Sequence, residues 1–146
     1  MIAHYTHCIF TTYQRHDLID ENMQPNLWAF MGGIARKRYI TAHAVGGVAN
    51  HVHLLLSIPP DMSLSKAMQI LKSGSSKWMN DSYFPDRRFR WQQKYGAFSV
   101  SPTGVDRVVD YIHRQPEHHR KMSFEEEVRL LAKKFNLEAD EQGVFK

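Results

Sequence analysis

The stretch Tyr39-Ile40-Thr41-Ala42-His43-Ala44-Val45-Gly46-Gly47-Val48-Ala49-Asn50-His51-Val52-His53-Leu54-Leu55-Leu56-Ser57-Ile58-Pro59-Pro60 holds two runs of strand character, Tyr39 to Val45 and Val52 to Ile58. Gly46-Gly47 reads as a bulge or turn between them, and Pro59-Pro60 stops the second run. So short a link makes the pair a hairpin. Side chains two apart on a strand share a face. Val52, Leu54, Leu56 and Ile58 therefore form one apolar face suited to a core, while His51, His53, Leu55 and Ser57 point the other way.

Upstream, Ile2 to Thr12 is rich in Tyr, Thr, Ile and Phe and suits a first strand. Met23, Leu27, Phe30 and Ile34 follow at helical spacing, with Pro25 tolerable in the opening turn and the basic run Arg36-Lys37-Arg38 at the end. Downstream, Leu64, Ala67, Met68, Leu71 and Trp78 mark a second helix that Ser63 is placed to cap. Asp81 to Lys94 lacks periodicity and reads as an irregular loop; Tyr95 to Val100 reads as a fourth strand closed by Ser101-Pro102. Thr103 and Asp106 have capping-box-like spacing before the apolar stripe Val105, Val108, Val109 and Ile112. Pro116 ends or kinks that helix after Gln115. A last amphipathic helix starts at Ser123, with Glu126 three residues on, and buries Phe124, Val128, Leu131 and Phe135 ahead of an acidic tail. The order strand, helix, strand, strand, helix, strand predicts an α+β fold: a ferredoxin-like four-stranded antiparallel sheet with helices on one face, plus a C-terminal tyrosine-bearing helix and a further helix.

With 146 residues the chain has the size of one domain, expected to span 1–146 with a catalytic core of about 1–120 and the last helix and tail at 121–146. Apolar residues make up 42% and charged residues 23%, ordinary values for a globular protein. No apolar run nears the ~20 residues of a membrane span, and Met1-Ile2-Ala3-His4 has no signal-peptide character, so the expected location is the cytoplasm with no membrane partner. Cys8 stands alone, which excludes an internal disulfide and a thiolate metal site; it reads as a small buried hydrophobe. Lys and Arg number 19 against 15 acids, and six of the acids, Glu125, Glu126, Glu127, Glu138, Asp140 and Glu141, crowd into the short stretch after Ser123, so the preceding body is the more basic part and a polyanionic partner suits it.

Two features carry chemistry. His51 and His53 set two imidazoles side by side on one strand face, where they can bind a divalent ion and leave positions open for substrate oxygens. The bland reading is a pair of histidines on a solvated sheet face. Tyr111 and Gln115 are four apart on the third predicted helix and so are surface neighbours. Alone, Tyr111 is better read as the edge of the apolar stripe. A phenol with a pKa near ~10 is a poor nucleophile at neutral pH unless a neighbouring charge positions and neutralises the phosphate it attacks.

These residues resemble a known family, the single-tyrosine HUH transposases of small insertion sequences and the related REP-associated tyrosine transposases. The resemblance rests on His51-Val52-His53-Leu54-Leu55-Leu56, on Thr11-Thr12-Tyr13-Gln14-Arg15 and on Leu71-Lys72-Ser73-Gly74-Ser75-Ser76. Trp91 through Tyr95, Phe98-Ser99-Val100-Ser101, Tyr111-Ile112 through Gln115, and Glu117-His118-His119 follow in the family's order and approximate spacing. It spans roughly residues 4 to 120. Asn50 stands where an acidic residue often precedes the first histidine, and Arg114 where asparagine often precedes the glutamine.

The resemblance implies Tyr111 as nucleophile and His51, His53 and Gln115 as metal ligands. The implied substrate is single-stranded DNA with hairpin ends, cut and rejoined through a 5′-phosphotyrosine with no nucleotide cofactor. Ligand preference favours manganese or heavier ions and cellular abundance favours magnesium, so magnesium or manganese is expected, with nickel or zinc able to take the site. A homodimer is expected from the shortness of the chain, with Pro102-Thr103-Gly104 as hinge before an exchanged or mobile helix. The first single-strand contacts to consider are Arg87, Arg88, Arg90 and Lys94, interleaved with Phe89, Trp91 and Tyr95, because cations follow a backbone while aromatic faces stack on bases. The competing reading puts Trp91 and Tyr95 in the core and leaves the arginines solvated. Arg36-Lys37-Arg38, Lys66, Lys72 and Lys77 are weaker candidates. His118 and His119 can approach the site, although histidines after a helix end are commonly surface residues. A non-cleaving hairpin-binding relative is the alternative function. A paired His-x-Thr phosphoesterase, begun by His4-Tyr5-Thr6, fails for want of Thr or Ser at position 53.

Overall fold

The structure, a computed structural model, describes residues 4–134. Phe135, the tail acids Glu138, Asp140 and Glu141, and the first residues of the predicted opening strand lie outside the described residues. Strands β1 (Tyr5–Thr11), β2 (Thr41–Val48), β3 (His51–Ser57) and β4 (Gly96–Val100) form one antiparallel sheet in the order β2-β3-β1-β4. Helices α1 (Gln24–Lys37) and α2 (Leu64–Tyr83) provide the two crossovers. This is the ferredoxin-like arrangement that the hairpin and its flanking periodicities predict.

One face of the sheet carries Cys8, Phe10, Val52, Leu54 and Leu56 into a core shared with Leu27, Met31, Ala67, Met68 and Leu71 of α1 and α2. Burying each such leucine contributes about 1.5–3 kcal/mol. Ser63 caps α2 as expected, its Oγ accepting from the Lys66 amide at 3.0 Å. The opposite face is covered by the C-terminal helices α3 (Val105–His113), α4 (Gln115–His118) and α5 (Phe124–Lys134). Ile112 packs there on Ala44 and Leu55, and Phe124 and Val128 pack on Ile9 and Phe98. With both faces covered, β3 is buried along almost its whole length.

Several local expectations change. Gly46 and Gly47 lie inside β2 rather than in the turn, which falls at Ala49-Asn50. A Cβ at Gly46 would sit 2.6 Å from the Ile112 carbonyl oxygen, so this glycine lets α3 lie against the sheet. The register irregularity of the hairpin is between Ala42 and Ala44. Thr103 does not cap α3; its Oγ1 pairs with Ser101 Oγ at 3.1 Å in a 3-10 turn, Pro102–Gly104. Pro116 breaks the helix as expected, at Arg114, and restarts it as α4. Ser123 caps α5 by accepting from the Glu126 amide at 3.2 Å. No helix among the described residues is long and apolar enough to cross a membrane.

Candidate metal and nucleophile site

The second face of β3 projects His51 and His53 beneath α3, α4 and α5, and both imidazoles are fully buried. Antiparallel register places Thr11 of β1 opposite His51 and Ile9 opposite His53. Gln115, the first residue of α4, is also fully buried and accepts at Oε1 from His51 Nε2 at 3.1 Å. The kink after His113 produces this contact: it turns the chain downward, so Gln115 is aimed at the sheet while Tyr111 stays on the last turn of α3. The Tyr111 ring meets His53 edge-on with centroids 5.6 Å apart. His51, His53, Tyr111 and Gln115 thus come together within a single chain.

The center of the cluster is a residue that sequence reasoning assigned no role. Glu127 of α5 is 1% exposed and enters among the imidazoles. Its Oε1 accepts from His53 Nε2 at 3.2 Å and His119 Nε2 at 3.1 Å and lies 3.4 Å from His51 Nε2. Its Oε2 accepts from Gln115 Nε2 at 3.1 Å and from the Tyr111 hydroxyl. His118 Nε2 is 3.6 Å from the same oxygen. The signal that marks Glu127 is its place on α5: three residues after Phe124 and four before Leu131, it is an acid on the apolar stripe. In the run Glu125-Glu126-Glu127 that position is masked by the helix-capping acids beside it.

Behind the histidines lies a further shell of partners. His53 Nδ1 shares a hydrogen bond of 2.8 Å with His7 Nε2, and His51 Nδ1 lies 2.8 Å from Asn50 Oδ1. Burial, reinforced by His53, holds the His7 imidazole down at about 3. Burial likewise holds His51 at about 4, against the opposing pull of Glu127. Burial alone would raise the Glu127 carboxyl, but the field of His53 and the hydrogen bonds from His119, His51 and His53 outweigh it and keep the group ionised well below the carboxylate range. Burial and the adjacent Glu127 charge push the Tyr111 phenol above its ordinary value.

His51, His53, His119 and Glu127 offer ligand atoms that all lie within 4.8 Å of one another. Nitrogen donors with one carboxylate, joined by the Gln115 amide oxygen, suit a divalent transition ion, so the residues present fit a metal.

Among the expected single-strand contacts, Trp91 requires correction. It is 7% exposed, packs edge-to-face with Phe10 and Phe89, and donates its indole N–H to Ser75 Oγ at 2.9 Å. It serves the core here and offers no free face to a base, because the isolated bridge between Thr12 and Trp91 ties this stretch to the end of β1. Phe89 is buried too. Tyr95 is half-buried against the same core, with Lys72 Nζ 5.9 Å from its ring. Arg87, Arg88, Arg90 and Lys94 are exposed; Arg87 pairs with Asp81, and Arg90 stacks over Tyr13 at 3.7 Å. A second charged surface went unforeseen. A groove of about 550 Å³ beside Tyr111 is lined by Arg107, Arg114, His118 and Lys121 and also by Asp110 and Glu117, with Arg114 paired to Asp110 at 3.1 Å.

Comparison with known proteins gives the family and the fold relatives of the chain. The sequence is 35% identical over 77 residues to the transposases for insertion sequence element IS200 of Salmonella typhimurium and Salmonella typhi, a match covering 49% of this chain and 50% of each relative. The chain thus spans about half the length of these curated relatives. Its fold resembles a candidate transposase from Deinococcus radiodurans R1, with TM-score 0.63, 22% identity, and coverage of 79% of this chain and 93% of the other. It also resembles a REP-associated tyrosine transposase solved bound to a REP hairpin, with TM-score 0.60, 17% identity, and coverage of 82% and 70%. Residues 1–115 match the family described as transposase IS200 like. The chain belongs to the IS200-like transposase family.

Proposed function

We infer that the protein cuts and rejoins single-stranded DNA next to hairpins, with Tyr111 as the covalent nucleophile and His51, His53 and Gln115 as ligands of a divalent metal. One observation carries this reading: a single carboxylate, Glu127, touches the Tyr111 hydroxyl with one oxygen and the buried imidazoles with the other. A phosphate, similar in span and charge, would likewise meet both groups at once.

In the reaction the Tyr111 oxygen bonds to phosphorus as the bond to the 3′ oxygen breaks. A 5′-phosphotyrosine and a 3′-hydroxyl result, the phenolic proton passing overall to the leaving oxygen. The phosphoester is conserved in the intermediate, so a later 3′-hydroxyl reverses the step without a nucleotide cofactor. A bound divalent ion, magnesium or manganese in the cell, would supply charge neutralisation at the phosphate. The protein contributes positioning: α3 and α4 hold Tyr111 and Gln115 over the sheet, and the groove lined by Arg107 and Lys121 gives a backbone an electrostatic approach to the phenol. The REP hairpin bound by the structural relative supports a hairpin-bearing substrate.

A homodimer belongs to the same reading. Because Tyr111 lies beside the histidines of its own chain, the partner would serve to hold a second DNA end rather than to complete the site. Light scattering tests this, with a dimer expected. The decisive test of the chemistry is mass spectrometry of the protein after incubation with hairpin-bearing single strands. A covalent DNA adduct on the Tyr111 peptide is expected, lost in Tyr111→Phe; equal adduct yield from both would move the nucleophile elsewhere, and tight binding without adduct would favour a non-cleaving hairpin binder.

A further inference from the structure

The segment after the family match, residues 116 onward, brings two more donors to the histidine pair. We propose that Glu127 and His119 are additional ligands of the metal, closing a resting site for a divalent transition ion that the scissile phosphate must open. This rests on the reading of His51 and His53 as ligands and extends it to a part of the chain with no counterpart in that reading.

The spacing is the first argument. Around one ion with bonds of about 2.1 Å, neighbouring donor atoms lie roughly 3.0 Å apart in octahedral and 3.4 Å apart in tetrahedral geometry. Glu127 Oε1 lies 3.2, 3.4 and 3.1 Å from the Nε2 atoms of His53, His51 and His119. The Gln115 Oε1 to His51 Nε2 distance of 3.1 Å falls in the same range. The second argument is orientation. Asn50 Oδ1 sits against Nδ1 of His51 and His7 Nε2 against Nδ1 of His53, so both rings are held from behind with Nε2 on the cluster side, as the partners of metal-bound histidines generally hold them. An ion entering the cluster would take the place of the Nε2 protons that face Glu127 and Gln115, and release them. The third is charge. A carboxylate 1% exposed is costly to desolvate, and a cation held among the same imidazoles would neutralise it. Finally, His118 Nε2 is buried at the rim of the cluster with no hydrogen-bond partner, a polar atom still lacking the company a ligand-filled site would give it.

A carboxylate ligand lowers the charge available to a phosphate, and Glu127 also holds the Tyr111 hydroxyl. Substrate binding would then exchange one anion for another, the phosphate taking the place of Glu127 at the metal and releasing the phenol in the same movement.

Cobalt(II) titration of the full chain, without DNA, tests the assignment by calorimetry and by the visible d–d spectrum. Wild type should bind one ion with a spectrum of low coordination number, and Glu127→Gln and His119→Ala should each weaken binding at least tenfold and alter the spectrum. Glu127→Asp, which keeps the charge but withdraws it, should fall between them and guards against a folding artefact, as does a circular dichroism spectrum of each variant. Unchanged affinity and spectrum in Glu127→Gln and His119→Ala, with binding abolished in His51→Ala, would overturn the proposal and leave the two-histidine site standing. Absence of cobalt binding by wild type would overturn both.

Discussion

Tyr111 on α3 donates its phenolic hydrogen to Glu127 on α5, sixteen residues further along the chain. The contact joins the nucleophile of the proposed reaction to the most electron-rich group of the buried cluster. A phenol facing a carboxylate is stabilised in its protonated form, so burial and the Glu127 charge act in one direction on Tyr111. Removing that charge reverses one of the two effects. In EDTA, the Tyr111 phenol of Glu127→Gln should titrate at lower pH than in wild type. Ultraviolet difference titration reads this, with Tyr111→Phe in each background isolating one phenol among the six tyrosines of the chain. Identical titration curves would mean that burial alone sets the acidity of Tyr111.

The stability of the apo protein should decline well above the acid range. His51 and His7 titrate in the folded state at about 4 and about 3, below the ordinary imidazole value near 6.5. Between those limits the unfolded chain binds protons that the folded chain refuses, so stability is full above pH 6.5 and is lost as pH falls toward 4. Within that window each imidazole costs about 1.4 kcal/mol per pH unit. The depressed carboxyl of Glu127 acts lower, because its contribution begins to fade only below the unfolded value near 4.5. Urea midpoints in EDTA should therefore drop between pH 7.5 and pH 5, and His7→Asn should flatten the slope. A flat profile over that range would contradict the burial of neutral imidazoles.

The arrangement of strands and helices was legible because periodicity and punctuation agree: the alternation of Val52, Leu54 and Leu56, the Ser63 cap and the Pro116 break all signal locally what the chain does globally. The grouping of His51 and His53 followed from their spacing, and that of Tyr111 with Gln115 from helical geometry, although the kink at Arg114 rather than a continuous turn delivers Gln115. Glu127 and His7 were not legible as site members, and His119 was legible only as a histidine after a helix end that can approach the site. Their meeting depends on how α5 and β1 pack on one sheet face, a long-range consequence of tertiary structure with no local spacing. Trp91 misled for the opposite reason: Arg90 before it and Lys94 after it suggest a stacking platform, while the isolated bridge to Thr12 that turns it inward leaves no trace in composition.

Gly46 is a misread of the same kind and makes a prediction. Flexibility at a turn would tolerate alanine, but the backbone of Ile112 occupies the space a Cβ needs at 2.6 Å. Gly46→Ala should destabilise by about 1–3 kcal/mol, typical of overpacking, and should displace α3. The displacement moves Tyr111 and Gln115 together, so adduct formation should fall by more than the loss of folded protein accounts for. Thermal melts paired with adduct yields check this. A variant as stable and reactive as wild type would return Gly46 to the role of a turn residue.

The two charged surfaces are separable by salt dependence. Arg87, Arg88, Arg90 and Lys94 lie along the loop before β4, whereas Arg107 and Lys121 flank the groove at Tyr111. A cation that contacts a phosphate releases a counterion, and its loss reduces the slope of log affinity against log salt by roughly 0.7 for a single strand. If the cleaved strand enters through the groove, Arg107→Ala and Lys121→Ala should each lower that slope and slow adduct formation. Arg87→Ala should change little, since its guanidinium is engaged by Asp81. Arg90→Ala and Lys94→Ala should weaken hairpin binding while leaving the rate of adduct formation at saturating DNA intact, because neither is among the residues lining the groove beside the phenol. Filter binding across a salt series, with single-turnover cleavage on the same variants, separates the two roles. The same slope loss and the same rate loss from both sets would merge them into one continuous track.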